Sequence, residues 1–168
     1  MDLVRQLREY GARWPAEAET VRRFVEFLAT HPDAFARSLA CGHVTGSAWL
    51  VDRAGARVLL THHKKLGIWV QLGGHADGDA DAFRVARREA EEESGLTDLE
   101  PVAPEIFDVD VHEIPARGAE PAHLHWDVRH AFRATGSEAF RVSDESHALA
   151  WIEIAALESV TREESMLR

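Results

Sequence analysis

Between Gly74 and Leu96 the chain carries Gly74-x5-Ala80-x7-Arg88-Glu89-Ala90-x-Glu92-Glu93-x-Gly95-Leu96. The segment reads as a glycine-rich turn at Gly73 and Gly74 that feeds a helix over Asp79 to Ser94, with Gly95 as its stop. Glu89, Glu92 and Glu93 stand at i, i+3 and i+4, so on a helix of ~3.6 residues per turn they share about 100° of arc. Ala82, Val85 and Ala86 fall in or beside that arc, whereas Arg84, Arg87 and Glu91 project the other way. The acids therefore lie on the side that packs against the protein. Three carboxylates gathered there carry a large electrostatic cost, which a divalent cation removes. Oxygen-only ligation favours Mg2+ or Mn2+ over zinc. A surface helix whose Glu and Arg merely pair at i, i+4 would explain neither the glycines before it nor Gly95 after it.

At these residues the segment resembles the Nudix box, the signature of hydrolases that cleave diphosphate linkages in nucleoside diphosphate derivatives. The Arg-Glu-x-x-Glu-Glu-x-Gly core and its spacing from Gly74 are complete. Two positions depart: Ala80, flanked by Asp79 and Asp81, replaces a glutamate, and Ala90 stands where a bulkier apolar residue is usual. Trp69-Val70-Gln71-Leu72-Gly73-Gly74 is similar to the family's entry into the box, with Leu72 where proline is common. The resemblance implies an α/β fold, a Nudix-like α/β/α sandwich with a mixed sheet, over residues 42–168. Residues 1–41 stand outside it as a helical extension. It also implies a small-molecule diphosphate substrate and Mg2+ or Mn2+ held by Glu89, Glu92 and Glu93 with the Gly73 carbonyl. Glu89 serves as a ligand or orients water, and Arg88 holds a glutamate in position.

Composition bounds the alternatives. At 168 residues the chain is most simply one domain built on a substantial core. A single cysteine, Cys41, excludes an intrachain disulfide framework and suits a reducing cytoplasm. The start, Met1-Asp2-Leu3-Val4-Arg5, shows no apolar run of a signal peptide or membrane span. A formal charge of −10 argues against a broad nucleic-acid surface but not against a small phosphorylated substrate. Bound metal would reverse the local field, and His62-His63-Lys64-Lys65 adds positive charge.

Periodicity gives the organisation. Residues 2 to about 40 read as helical, with Leu3, Val4, Leu7 and Tyr10 in phase until Gly11 interrupts them. A second helix begins near Pro15 and stops at Pro32, with a short helix following through Phe35 and Leu39. This extension caps the core, forms a homodimer contact or shapes the substrate pocket, and the first role is favoured. Strands are expected over His43–Asp52, Arg57–His63, Gly67–Gln71, Glu105–Ile114, His123–Ala134 and His147–Ile152, with a short helix from Ile154 to Glu158.

Ten histidines invite a zinc reading. His123, His125 and Asp127 share one strand face, and Asp108, Asp110 and His112 share another, so paired strands would line one wall of a pocket. The blander account, favoured over a structural zinc site because no spacing here is a zinc signature, makes them solvent-facing positions alternating with core residues Leu124, Trp126 and Val128. Substrate contacts are assigned to His63, Gly74, His75, His125 and Asp127, with His75 nearest the diphosphate. The polar segment Ser143-Asp144-Glu145-Ser146 offers Glu145 as a catalytic base from outside the box. Candidate catalytic residues are therefore Glu89, Glu92, Arg88 and Glu145. Two alternatives stand beside hydrolysis: a Nudix-fold nucleotide sensor without turnover, which Ala80 favours, and a histidine-based metallohydrolase using His123, His125 and Asp127.

Overall fold

The change of period at Gly42 is where helices give way to sheet. The computed structural model describes residues 2–64, 67–142 and 146–167; the proposed base Glu145 lies outside them. Helix α1 (Leu3–Arg13) is capped by Asp2, whose carboxylate accepts the Val4 amide at 3.1 Å. A single 3-10 turn at Pro15–Glu17 leads into α2 (Ala18–Thr30). Gly11 lies inside α1 and does not interrupt it. Val21 of α2 sits 3.3 Å from where a Gly11 Cβ would stand, so the glycine serves close approach of the two helices. The helix expected through Phe35 and Leu39 is instead a run of turns. Tertiary bonds hold it open: the Ala34 carbonyl accepts the Val44 amide at 2.8 Å, and Phe35's accepts Gly78's at 2.8 Å.

The sheet contains β1 (Gly42–Val51), β2 (Arg57–His63), β3 (Trp69–His75), β4 (Leu99–Pro101), β5 (Asp108–Ile114), β6 (His123–Ala134) and β7 (Ser146–Glu153). Its order is β4-β6-β1-β3-β2-β7, with β5 also on β6. Among the described residues only the β1–β6 pair is parallel, in register from Gly42 opposite Leu124 to Val51 opposite Arg133. The sheet is therefore mixed, as expected. Two elements escaped sequence reading, β4 and the terminal α4 (Glu164–Leu167), because three or four residues are too few to show a period. Gly73 and Gly74 are strand residues of β3, which corrects the expected glycine turn. The turn comes afterwards, at Asp77 and Gly78, both with positive φ.

Alternation along β1 decides what lies on each face. Val44, Gly46, Ala48 and Leu50 face α3 (Ala82–Ser94), joining a core with Val85, Ala86 and Ala90. On this side α1 and α2 continue the same core, as Phe24 and Phe27 pack on Trp126, the latter stacked at 4.3 Å between ring centroids. On the other face Leu157, from a 3-10 segment (Ile154–Ser159), and Met166 of α4 cover Val58 and Leu60. Helical segments thus flank both faces, giving the α/β/α sandwich. No helix among the described residues is long and apolar enough to cross a membrane.

His130, on β6, is fully buried beside Phe83, and neither ring nitrogen makes a hydrogen bond of normal geometry. Burial pushes its pKa down from 6.5 to about 4, against weaker opposing effects of the Glu105 backbone and the Asp81 charge. The unfolded chain takes up this proton below 6.5, whereas the folded chain resists until about 4. Stability is therefore lost as pH falls through that window, by on the order of 3 kcal/mol for this residue. His130→Leu should flatten that part of the pH–stability curve in urea titrations. An unchanged slope between those pH values would refute the assignment.

Candidate active site

The box helix is placed by its ends and by missing side chains. Asp81 caps α3, accepting the Arg84 amide at 3.2 Å, and Gly95 ends it at φ 72°. Asp79 pairs with Arg84 through both carboxylate oxygens. Both acids flanking Ala80 are thus engaged at the start of α3. Gly46 is needed because a Cβ there would strike Val85 and the Ala86 amide. Gly74 is needed because the Glu89 carboxylate occupies the space a Cβ would fill. With no side chains between, α3 settles directly on β1 and β3.

That seating delivers the carboxylates. Glu93 is buried, and its Oε2 accepts the Gly73 amide at 3.1 Å. Glu89 is half-buried, and its Oε1 accepts from Arg88 Nη2 at 2.8 Å. Arg88 Nη2 also donates to the His75 carbonyl at 2.9 Å, which ties the Glu89 carboxylate to the end of β3. The hydrogen bond to Glu89 raises the Arg88 pKa, so the guanidinium stays charged. Glu92 is exposed at the rim of the helix, not packed against the protein as its arc suggested. Glu89 and Glu93, meeting the backbone of Gly73 and Gly74, form an oxygen-rich donor set that fits a hard divalent cation.

On the opposite face of the sheet opens a cavity of about 440 Å³. All five proposed substrate contacts, His63, Gly74, His75, His125 and Asp127, line it, as does Gly73. The strands β5 and β6 do pair, with Asp110 opposite Asp127 and His112 opposite His125. The solvent-facing account fails for His123 and Asp127, which are 7% and 1% exposed. Asp127 is saturated by the protein. Its Oδ1 accepts from Thr45 and Ser47 hydroxyls, both at 2.8 Å, and its Oδ2 from Arg129 Nε at 3.0 Å and Gln71 at 3.3 Å. It orders the cavity wall more than it offers lone pairs to a ligand.

Arg129 is the hub of that wall. Its guanidinium is 4% exposed and reaches Asp108 at 2.9 Å and Asp110 at 3.4 Å besides Asp127. It also donates to the Ser165 carbonyl at 2.6 Å and hydroxyl at 3.1 Å, fastening α4 to the cavity. Sequence reading passed over Arg129, Thr45, Ser47 and His43. The odd positions of β1, polar among apolar and small neighbours, carried the signal for three of them.

Histidines crowd one end of the cavity. His125 lies with its ring centroid 5.0 Å from His43, 5.2 Å from His123, 5.3 Å from His75 and 5.5 Å from His112. Burial, and then these neighbours, push its pKa down to about 2, so the ring is neutral in ordinary buffers. Burial would lower His112 as well, but its 2.9 Å bond to Asp110 and the charges of Asp127 and Asp110 outweigh that and raise it.

Against known structures, the fold is similar to an Ap4A hydrolase of C. elegans, at TM-score 0.59 and 18% identity over 73% of this chain and 88% of that one. It is also similar to a Nudix-family hydrolase of Clostridium perfringens, at TM-score 0.53 and 22% identity over 74% and 91% of the two chains. A Nudix hydrolase of M. smegmatis, RenU, gives 0.54 and 20% over 75% and 80%. Comparison with curated proteins finds no match. The family model of the NUDIX domain matches residues 42–168, the span from the first residue of β1 onward. With that match laid over the Gly73–Gly74 backbone and the glutamates that meet it, the chain belongs to the Nudix family.

Proposed function

We propose that this Nudix enzyme is a metal-dependent hydrolase that splits a diphosphate linkage in a nucleoside diphosphate derivative or related small molecule. The observation that carries the reading is the seating of Glu89 and Glu93 on the backbone of Gly73 and Gly74, residues that also border the cavity. Glu89, Glu92, Glu93 and the Gly73 carbonyl would hold Mg2+ or Mn2+. When bound, the cation neutralises charge on the phosphate oxygens and acidifies water. Water adds to one phosphorus as the bridging P–O bond breaks, and two phosphate-bearing products leave. Arg88 keeps the Glu89 carboxylate aimed at β3, and the Gly73 amide fixes Glu93. The base is Glu89 or, from outside the box, Glu145. His63, His75 and His125 contact the substrate from the cavity wall, and Cys41 as the single thiol suits residence in the cytoplasm.

Two structural neighbours named for their substrates, the Ap4A hydrolase and an E. coli dihydroneopterin triphosphate pyrophosphohydrolase, set the span of compounds to try. Chromatographic detection of the two phosphate-bearing products from dinucleoside polyphosphates, nucleotide sugars and nucleoside triphosphates, with Mg2+ or Mn2+ and with chelator, tests the reading. Turnover of at least one class, abolished by chelator and restored by either ion, is expected. Binding of nucleotides without hydrolysis of any would leave a sensor, the reading that Ala80 favours, since Asp79 and Asp81 are both engaged at α3. For the base, Glu145→Gln and Glu89→Gln are compared at saturating metal, and the role falls to whichever loses kcat with substrate affinity unchanged.

A further inference from the structure

Hydrolysis at the carboxylates gives His43 and His123 no task, and His125, packed against both, only a place on the cavity wall. His43, His123 and His125 each offer a ring nitrogen, and these three atoms all lie within 4.8 Å of one another. Neither nitrogen of His43, which is 2% exposed, makes a hydrogen bond of normal geometry, nor does Nε2 of His125. A neutral imidazole carries one donor and one lone pair, and burying either without a partner costs about 1–3 kcal/mol. Packing alone is a poor reason to gather such groups, although His43 and His123 do stack, at 5.1 Å between centroids.

His123 is oriented for ligation. Its Nδ1 lies 2.9 Å from the Pro121 carbonyl, which must accept a proton there, and this leaves Nε2 with the lone pair. Burial, and then the nearby His123, lower the proton affinity of His43, outweighing the raising effects of the Leu39 backbone and Glu120. Zinc binds imidazole at about 2.0–2.1 Å, which sets tetrahedral ligand nitrogens about 3.3 Å apart. From within 4.8 Å, the rings need to close by at most about 1.5 Å.

We propose that His43, His123 and His125 form a nitrogen-ligated site for a borderline divalent transition ion, Zn2+ foremost, separate from the oxygen-ligated site beside α3. Three neutral histidines supply no charge to balance the ion. Its fourth position faces the cavity that His123 and His125 line, near Arg37, and this favours an anionic oxygen of the cavity's ligand. The site does not depend on hydrolysis at α3, and its test does not read activity.

Untagged protein, loaded with Zn2+, is dialysed against excess Mg2+ and analysed for metal. Wild type and Glu93→Gln should each keep one equivalent, and zinc should raise the Tm of both. His123→Asn and His43→Asn should bind zinc at least ~10²-fold more weakly, with no zinc-dependent gain in Tm. Because a histidine variant could fail to fold, X-ray absorption at the zinc edge of wild type supplies a second measurement, and a shell with three imidazoles is expected. The exposed Cys41, 3.7 Å from His31, is the competing place for a soft ion. Zinc lost in Cys41→Ser but kept in His123→Asn, a sulfur-containing shell, or wild type that keeps no zinc would overturn the proposal.

Discussion

Glu93→Gln is expected to lower kcat by at least ~10²-fold, the scale of a lost metal or acid–base group, with little change in Tm. The substitution is nearly isosteric, and a glutamine oxygen can still accept the Gly73 amide that Glu93 now accepts at 3.1 Å. What disappears is the charge. With Arg88 committed to Glu89, an uncharged residue 93 leaves the donor set too weak for a hard cation. Turnover should fall while KM for a diphosphate substrate moves far less, and raising Mg2+ should recover part of the rate. A variant turning over within a few-fold of wild type at ordinary Mg2+ would remove Glu93 from the machinery.

Arg129→Met is expected to destabilise the fold by about 3–5 kcal/mol, the loss typical when one member of a buried ion network is removed. In a domain of this length that corresponds to a Tm lower by roughly 6–20 °C. Asp108, Asp110 and Asp127 all bond this guanidinium, and Asp127 is 1% exposed, so solvent cannot replace it cheaply. Methionine fills similar volume, so the loss reads charge and hydrogen bonding more than a cavity. Asp108 keeps the Tyr10 hydroxyl at 3.1 Å, and Asp127 keeps Thr45 and Ser47, which holds the loss within that range. The release of Ser165 should also loosen α4, measurable as faster amide exchange there. A Tm within a degree or two of wild type would show that the network contributes no net stability.

The box was legible because its spacing states a geometry. Gly95 ends α3 as capping rules assign, and Glu89 lies on the packed side that helical phase gave it. Glu92 was misjudged because a helical arc gives direction but not depth, and it ends at the rim, outside the packed seam. Gly73 and Gly74 were read as a turn because glycine pairs usually mark one; here close contact with Ser47 and the Glu89 carboxylate is the reason for them, and only tertiary packing reveals it. The same limit hid the run of turns before β1, where hydrogen bonds to Val44 and Gly78 override a helical period. The pocket face of β5 and β6 was anticipated as a conditional pairing. His43 and Arg129 were missed because each becomes polar machinery only once a parallel partner, distant in sequence, aligns β6 with β1.

Strand β1 serves two masters on opposite sides. Val44, Gly46, Ala48 and Leu50 meet the helix that positions the glutamates, while Thr45 and Ser47 line the cavity. Since a strand turns every second side chain away, a change at Thr45 acts on the cavity side of β1 and leaves the residues that seat α3 in place. Insertion of one residue would scramble both sets together. Variation at alternate positions of a single strand can therefore remodel the cavity while the helix side of β1 keeps its shape.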